Sequence, residues 1–145
     1  VDTTELAAMV TDLFLTISLL SGYPVPDRMP TVTRLPKQTM QAMICSGPCA
    51  VRAFYTPDKG VVIDEQLDLK GDTYSRSILL HELVHHLQHV SGRFEDLPTP
   101  CHRWRAKEVE AYEIQHTYLK KLRVTRSFIA LDTVPTTCPG DAAPD

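Results

Sequence analysis

One five-residue stretch constrains this chain more than any other: His81-Glu82-Leu83-Val84-His85, set within Ile78 to Gln88. It has the form H-E-x-x-H. On an α-helix, residues four apart lie one turn above one another on the same face, so His81 and His85 direct two imidazoles at one point. Glu82 is rotated by about 100° from His81 and reaches the neighbourhood of that point. The pattern asks for a zinc ion, with the carboxylate beside it. Catalytic zinc takes three protein ligands and keeps one position open. The helix must therefore pack against another element that carries the third ligand. The bare pattern also arises by chance. Its weight comes from its surroundings: an amphipathic helix around it, a β-hairpin before it and a Glu-bearing helix after it.

The chain has 145 residues, enough for one domain with a core. Hydrophobic residues make up 43% and charged ones 23%, as in ordinary soluble domains. The net charge of −3 argues against nucleic acid as a partner, because phosphate contacts require a basic patch. The region before Leu13–Leu20 carries Asp2, Glu5 and Asp12 and no Lys or Arg. It fits neither a signal peptide nor a membrane span, so no membrane association is expected. A start at Val1 fits a processed or a trimmed chain. The four cysteines do not form two C-x-x-C pairs, which disfavours a four-thiolate site. Of three possible connectivities we expect Cys45–Cys49, closing the Ser46-Gly47-Pro48 loop, and Cys101–Cys138, tying down the tail. Disulfides imply an oxidising compartment, so a secreted or periplasmic protein is expected.

Taken in order, residues 3–21 read as a helix with Asp2 as N-cap, Glu5 at N3 and Gly22 as stop. Residues 31–35 read as a strand, and Lys37 to Ile44 as a short helix after Pro36. Residues 50–55 and 61–63, joined by Thr56-Pro57-Asp58-Lys59-Gly60, form a hairpin. The H-E-x-x-H helix starts at Asp72 or Thr73 and ends at Ser91-Gly92, with Ile78, Leu79, Leu83, Val84 and Leu87 inward. A loop is expected over 93–102, then a helix from about Arg103 to Leu122. The apolar span 124–131 (Val124, Phe128, Ile129, Leu131) extends that helix or packs separately. The expected organisation is α+β: one domain over 1–134 and a tail over 135–145, held at most at Cys138.

The third ligand has several candidates. The metzincin continuation H-E-x-x-H-x-x-G-x-x-H fails, because Gln88 stands at the glycine and Ser91 at the third histidine. Asp96 lies eleven residues after His85 with no supporting context. Glu108-Val109-Glu110-Ala111-Tyr112-Glu113 offers three carboxylates on the following helix, of which Glu113 faces solvent if Glu108 faces the site.

H-E-x-x-H followed by E-x-x-A on the next helix resembles the gluzincin branch of zinc metallopeptidases. The similarity is closest to its small, minimal-zincin members, where a hairpin precedes the H-E-x-x-H helix. It covers roughly residues 50–120. The resemblance implies a zincin-like fold, a small antiparallel or mixed sheet packed on the two helices. It selects Glu108, three before Ala111, as the third ligand with His81 and His85, and Glu110 stays open as the alternative. Where the family often has Asp after that Ala, this chain has Tyr112. The resemblance further implies Zn2+ as cofactor and Glu82 as general base. It implies a peptide or protein substrate lying along an edge strand, 50–55 or 60–63, with Tyr112 or Tyr55 near the oxyanion.

The expected activity is zinc-dependent peptide-bond hydrolysis by a monomer. The alternatives are a zincin-fold protein that binds metal or a partner without turnover, and a disulfide-stabilised binding domain with an accidental motif. His86 and His89 are expected at the surface or beside the site, and His102 and His116 as solvated or capping groups. Gln88 is expected at the surface rather than hydrogen-bonded near the site, Trp104 in packing rather than as a substrate platform, and Arg103, Arg105 and Lys107 on a solvated face.

Overall fold

The structure, a computed structural model, describes residues 1–45, 49–124, 134 and 137–141. The Ser46-Gly47-Pro48 loop and the apolar span beyond Val124 lie outside the described residues. The described part is α+β, with four helices and a three-stranded mixed sheet. The elements run α1 (Thr3–Ser21), β1 (Val32–Leu35), α2 (Lys37–Ile44), β2 (Ala53–Thr56), β3 (Gly60–Asp64), α3 (Thr73–Ser91) and α4 (Pro100–Lys121).

Local chemistry sets most of these limits. Asp2 Oδ1 accepts from the Glu5 amide at 2.8 Å, which caps α1. Asp72 does the same for Ser75 at the start of α3. Gly22 and Gly92 end α1 and α3 in the left-handed region, at φ 82° and 69°, where a Cβ would be strained. Helix α4 begins three residues before the expected Arg103. Thr99 Oγ1 caps it by accepting from the His102 amide at 3.2 Å, and Pro100 occupies the first turn, where its missing N–H costs nothing. Cys101 and His102 are therefore helical, not loop residues.

The sheet order is β1-β3-β2. β2 and β3 form the hairpin, with Ala53 opposite Ile63 and Thr56 opposite Gly60. β1 joins β3 in parallel, Val32 opposite Val61 through Leu35 opposite Asp64. Among the described residues β3 is therefore central and buried along its length, and β2 is an edge. The period of two divides β3 between two layers. Val61 and Ile63 face a core built with Phe14 and Ile17 of α1, Leu79, Leu83 and Val84 of α3, and Ala111 of α4. Val62 joins Phe54 and Met40 on the side covered by α2.

α3 lies at the centre. α1, α4 and both hairpin strands pack on it, so burial runs almost all round the helix from Ser75 to Gln88. The amphipathic expectation placed too much of this helix in solvent. α1 is long and apolar enough to cross a membrane by length and composition, but its Val10, Leu13, Phe14 and Ile17 face is buried in the core.

Both expected disulfides are formed. Their loop lengths differ, so their effects do too. Cys101–Cys138, at a separation of 37 residues, restricts the unfolded chain by about 4 kcal/mol, and Cys45–Cys49, at 4 residues, by about 2 kcal/mol on the chain-entropy view. Two disulfides fit a protein of an oxidising compartment. The tail is held at a second point beyond Cys138. Asp141 accepts from the Cys138 amide at 2.7 Å, from His102 Nε2 at 2.6 Å and from Arg105 Nη1 at 3.1 Å. These donors hold its carboxyl well below the usual carboxylate range.

Candidate metal centre

Helices α3 and α4 meet at Ala111, which is fully buried. A residue without a longer side chain lets the two backbones approach, and Glu108, one turn earlier, then faces α3. His81, His85 and Glu108 form a group that could hold a metal ion, with ligand atoms all within 4.8 Å of one another. His81 Nε2 lies 3.2 Å from His85 Nε2 and 3.5 Å from Glu108 Oε2, and Glu108 Oε1 contacts His85 Nε2. Donors about 2.0–2.1 Å from a tetrahedral ion stand about 3.3 Å apart. The two spacings from His81 Nε2 fit that figure, while the Glu108 Oε1–His85 Nε2 contact is closer than it.

The outer hydrogen bonds determine which imidazole nitrogen is available. Gln88 Nε2 donates to Lys107 O at 2.9 Å and to Glu110 Oε1 at 3.1 Å. Its Oε1 therefore faces His85 Nδ1, at 2.8 Å, and accepts the Nδ1 proton. Gln115 Nε2 donates to Ser77 Oγ at 2.9 Å, and Ser77 Oγ donates to Tyr74 O at 2.6 Å. Gln115 Oε1 then accepts from His81 Nδ1 at 3.0 Å. Both histidines are thus held with Nε2, not Nδ1, directed into the group. Two such nitrogens and a carboxylate converging at this distance need a positive charge among them, either a metal ion or a proton on His85.

The ionisation of the group agrees. Burial pushes His85 down, but hydrogen bonding to Glu108 and the charges of Glu82 and Glu108 outweigh it and raise its pKa to about 9. Burial pushes Glu108 up, but His81 and His85 outweigh it and lower its pKa to about 2. At neutral pH a proton on His85 therefore neutralises Glu108 when no metal is bound. A metal ion must displace that proton. Apparent zinc affinity should then rise about ten-fold per pH unit as pH increases towards 9 and level off above it. Competition against a chromophoric chelator between pH 6 and pH 8 measures this, and an affinity flat over that range contradicts it.

Glu82 is buried beside the group and lines the same cleft. Burial raises its pKa, His81 and His85 pull it down, and Glu108 pushes it up. The cleft has a volume of about 750 Å³ and runs between β2 and the α3–α4 pair, with Ala53, Phe54 and Tyr55 along its strand side.

Glu110, the alternative third ligand, has a different partner set. It accepts from the Tyr23 hydroxyl, from Gln88 Nε2 at 3.1 Å and from Arg93 Nε at 2.7 Å. It sits behind Gln88 and supports the His85 contact from there. Asp96 is outside the group, and Glu113 is exposed. Gln88 was expected at the surface. It is fully buried, because its α3 position faces α4, and it orients His85. Gln115 was not singled out at all. Its signal is positional: it lies four residues after Ala111 and seven after Glu108, and so falls on the site face. His86 is buried as well, with Nε2 3.3 Å from Arg28 O and Nδ1 3.0 Å from the Tyr55 hydroxyl. That bond commits the Tyr55 proton to His86. Tyr112 instead packs its ring 4.3 Å from the His81 ring. Trp104, expected in packing, is 48% exposed. Arg105 and Lys107 engage Asp141 and Glu95 respectively.

Fold and site together define a small α+β domain with a two-histidine, one-glutamate candidate metal centre. A family described as a domain of unknown function (DUF6647) matches residues 2–145, and the chain belongs to that family. No curated protein and no solved structure matches the chain.

Proposed function

We propose that this protein is a zinc-dependent peptidase of the minimal-zincin type, with His81, His85 and Glu108 as zinc ligands and Glu82 as general base. The observation that carries the reading is the pair of glutamine contacts, which leave both Nε2 atoms directed at Glu108. A nitrogen, nitrogen, oxygen set is one that zinc takes readily, and the cleft beside it leaves room for a fourth ligand. Zinc bound there would supply Lewis-acid polarisation of a carbonyl and would bring the pKa of its water to about 7.

The chain's own groups do the rest. Among the described residues β2 has β3 on one side only and lies along the cleft, so that edge can accept an extended peptide backbone. Glu82 takes the proton of the attacking water and passes it to the leaving amine. Its raised pKa suits a group that must first bind and then release that proton. Tyr112 packs its ring against that of His81 and lines the cleft, which places it beside a developing oxyanion. Tyr55 fits that role less well, because its proton is used by His86.

The test is a degenerate peptide library incubated with zinc-loaded protein and with the same protein after chelation, read by mass spectrometry for new termini. Cleavage that appears with zinc, disappears with chelator and returns on zinc addition supports the proposal. A bound zinc with no new termini overturns the peptidase reading and leaves a metal-binding protein.

A further inference from the structure

The indole of Trp104 is unusual on this surface. Among the described residues it is the one aromatic in the set of exposed large hydrophobic side chains, at 48% exposure, and it lines the cleft of the candidate metal centre. Its position along the site is defined by the helix that carries it. Trp104 precedes Glu108 by four residues, so it lies on the same face of α4, one turn and about 6 Å away along the axis. An extended peptide advances about 3.3 Å per residue. A substrate side chain within about two positions of the carbonyl at the metal therefore reaches the ring. Ala50 and Val51, which lead into the edge strand, border the same cleft and add apolar surface.

We propose that Trp104 forms a specificity subsite for a large apolar or aromatic side chain of an extended peptide, close to the position read by the metal centre. The inference rests on the peptide-binding reading of the cleft given above. Its physical basis is the indole face, which offers hydrophobic area and offset or edge-to-face stacking at little cost in side-chain entropy. The selected residue has a large apolar side chain, since small ones leave that face wet and Ala50 and Val51 beside it offer apolar surface.

Trp104 is the chain's single tryptophan, so its fluorescence reports this site alone. The experiment uses the zinc-loaded Glu82→Gln protein, which retains the ligands and does not turn over. Two hexapeptides are titrated, one all alanine and one with a single phenylalanine, while tryptophan emission and calorimetric binding are followed. The phenylalanine peptide should shift emission to the blue and saturate at a concentration about ten-fold lower or more, the scale of discrimination hydrophobic subsites provide. Trp104→Ala and Trp104→Leu, checked for an unchanged melting profile and zinc content, should erase most of that difference in calorimetry. Equal affinities for the two peptides overturn the subsite. So does binding without change in emission, absence of binding, or emission that follows protein concentration alone. The two proposals fail separately. An emission response with no cleavage by the wild type removes the peptidase and keeps the subsite, and cleavage without a phenylalanine preference does the reverse.

Discussion

Glu82→Gln is expected to hold one zinc per chain with near wild-type affinity and to lose about 10²–10⁴-fold in peptide hydrolysis, the usual contribution of a positioned general base. The reason lies in the division of labour along α3. His81 and His85 meet Glu108, and Glu82 lies beside them at the cleft without belonging to the donor group. The amide is nearly isosteric, and burial already disfavours the charged carboxylate, so the substitution should not weaken the fold. Metal analysis and cleavage measured on the same sample separate the outcomes. Equal rates for the two proteins remove Glu82 from the mechanism. Loss of zinc together with activity makes Glu82 part of the metal site itself.

The second large effect separates the two glutamates. Apparent zinc binding energies of about 10–16 kcal/mol are shared among three or four ligands, so Glu108→Ala should cost on the order of 10³-fold in zinc affinity. Glu110→Ala removes a support and not a donor, and should cost about 10–100-fold. It leaves the Tyr23 hydroxyl and the Gln88 amide without their carboxylate, which should also lower stability by about 1–3 kcal/mol. Zinc titration and thermal melting of the two variants test this. If Glu110→Ala loses more zinc affinity than Glu108→Ala, the ligand assignment is reversed.

The legible part of the site was the part written on one helix. The spacing of His81 and His85 is a property of 3.6 residues per turn and needs no tertiary information. The caps at Asp2 and Asp72 and the stops at Gly22 and Gly92 are equally local. Glu108 against Glu110 was not local. The choice depends on Tyr23 and Arg93, which lie 87 and 17 residues from Glu110, and only the folded chain brings them to it. Gln88 looked like a surface amide because its partners are on α4. Trp104 looked like a core residue because size and hydrophobicity predict burial only on average. The parallel pairing of β1 with β3 has no sequence mark that distinguishes it from an antiparallel neighbour. The early start of α4 did have one, since Thr99-Pro100 is an N-cap followed by a first-turn proline.

Helix α4 is held at two points of different chemistry. Cys101 in its first turn is bonded to Cys138, and Glu108, seven residues and about two turns later, reaches across to α3. If that second junction is completed by a metal, one helix draws its position from both the oxidant and the metal supply of its surroundings. Loss of either would leave the other fastening in place on the same helix.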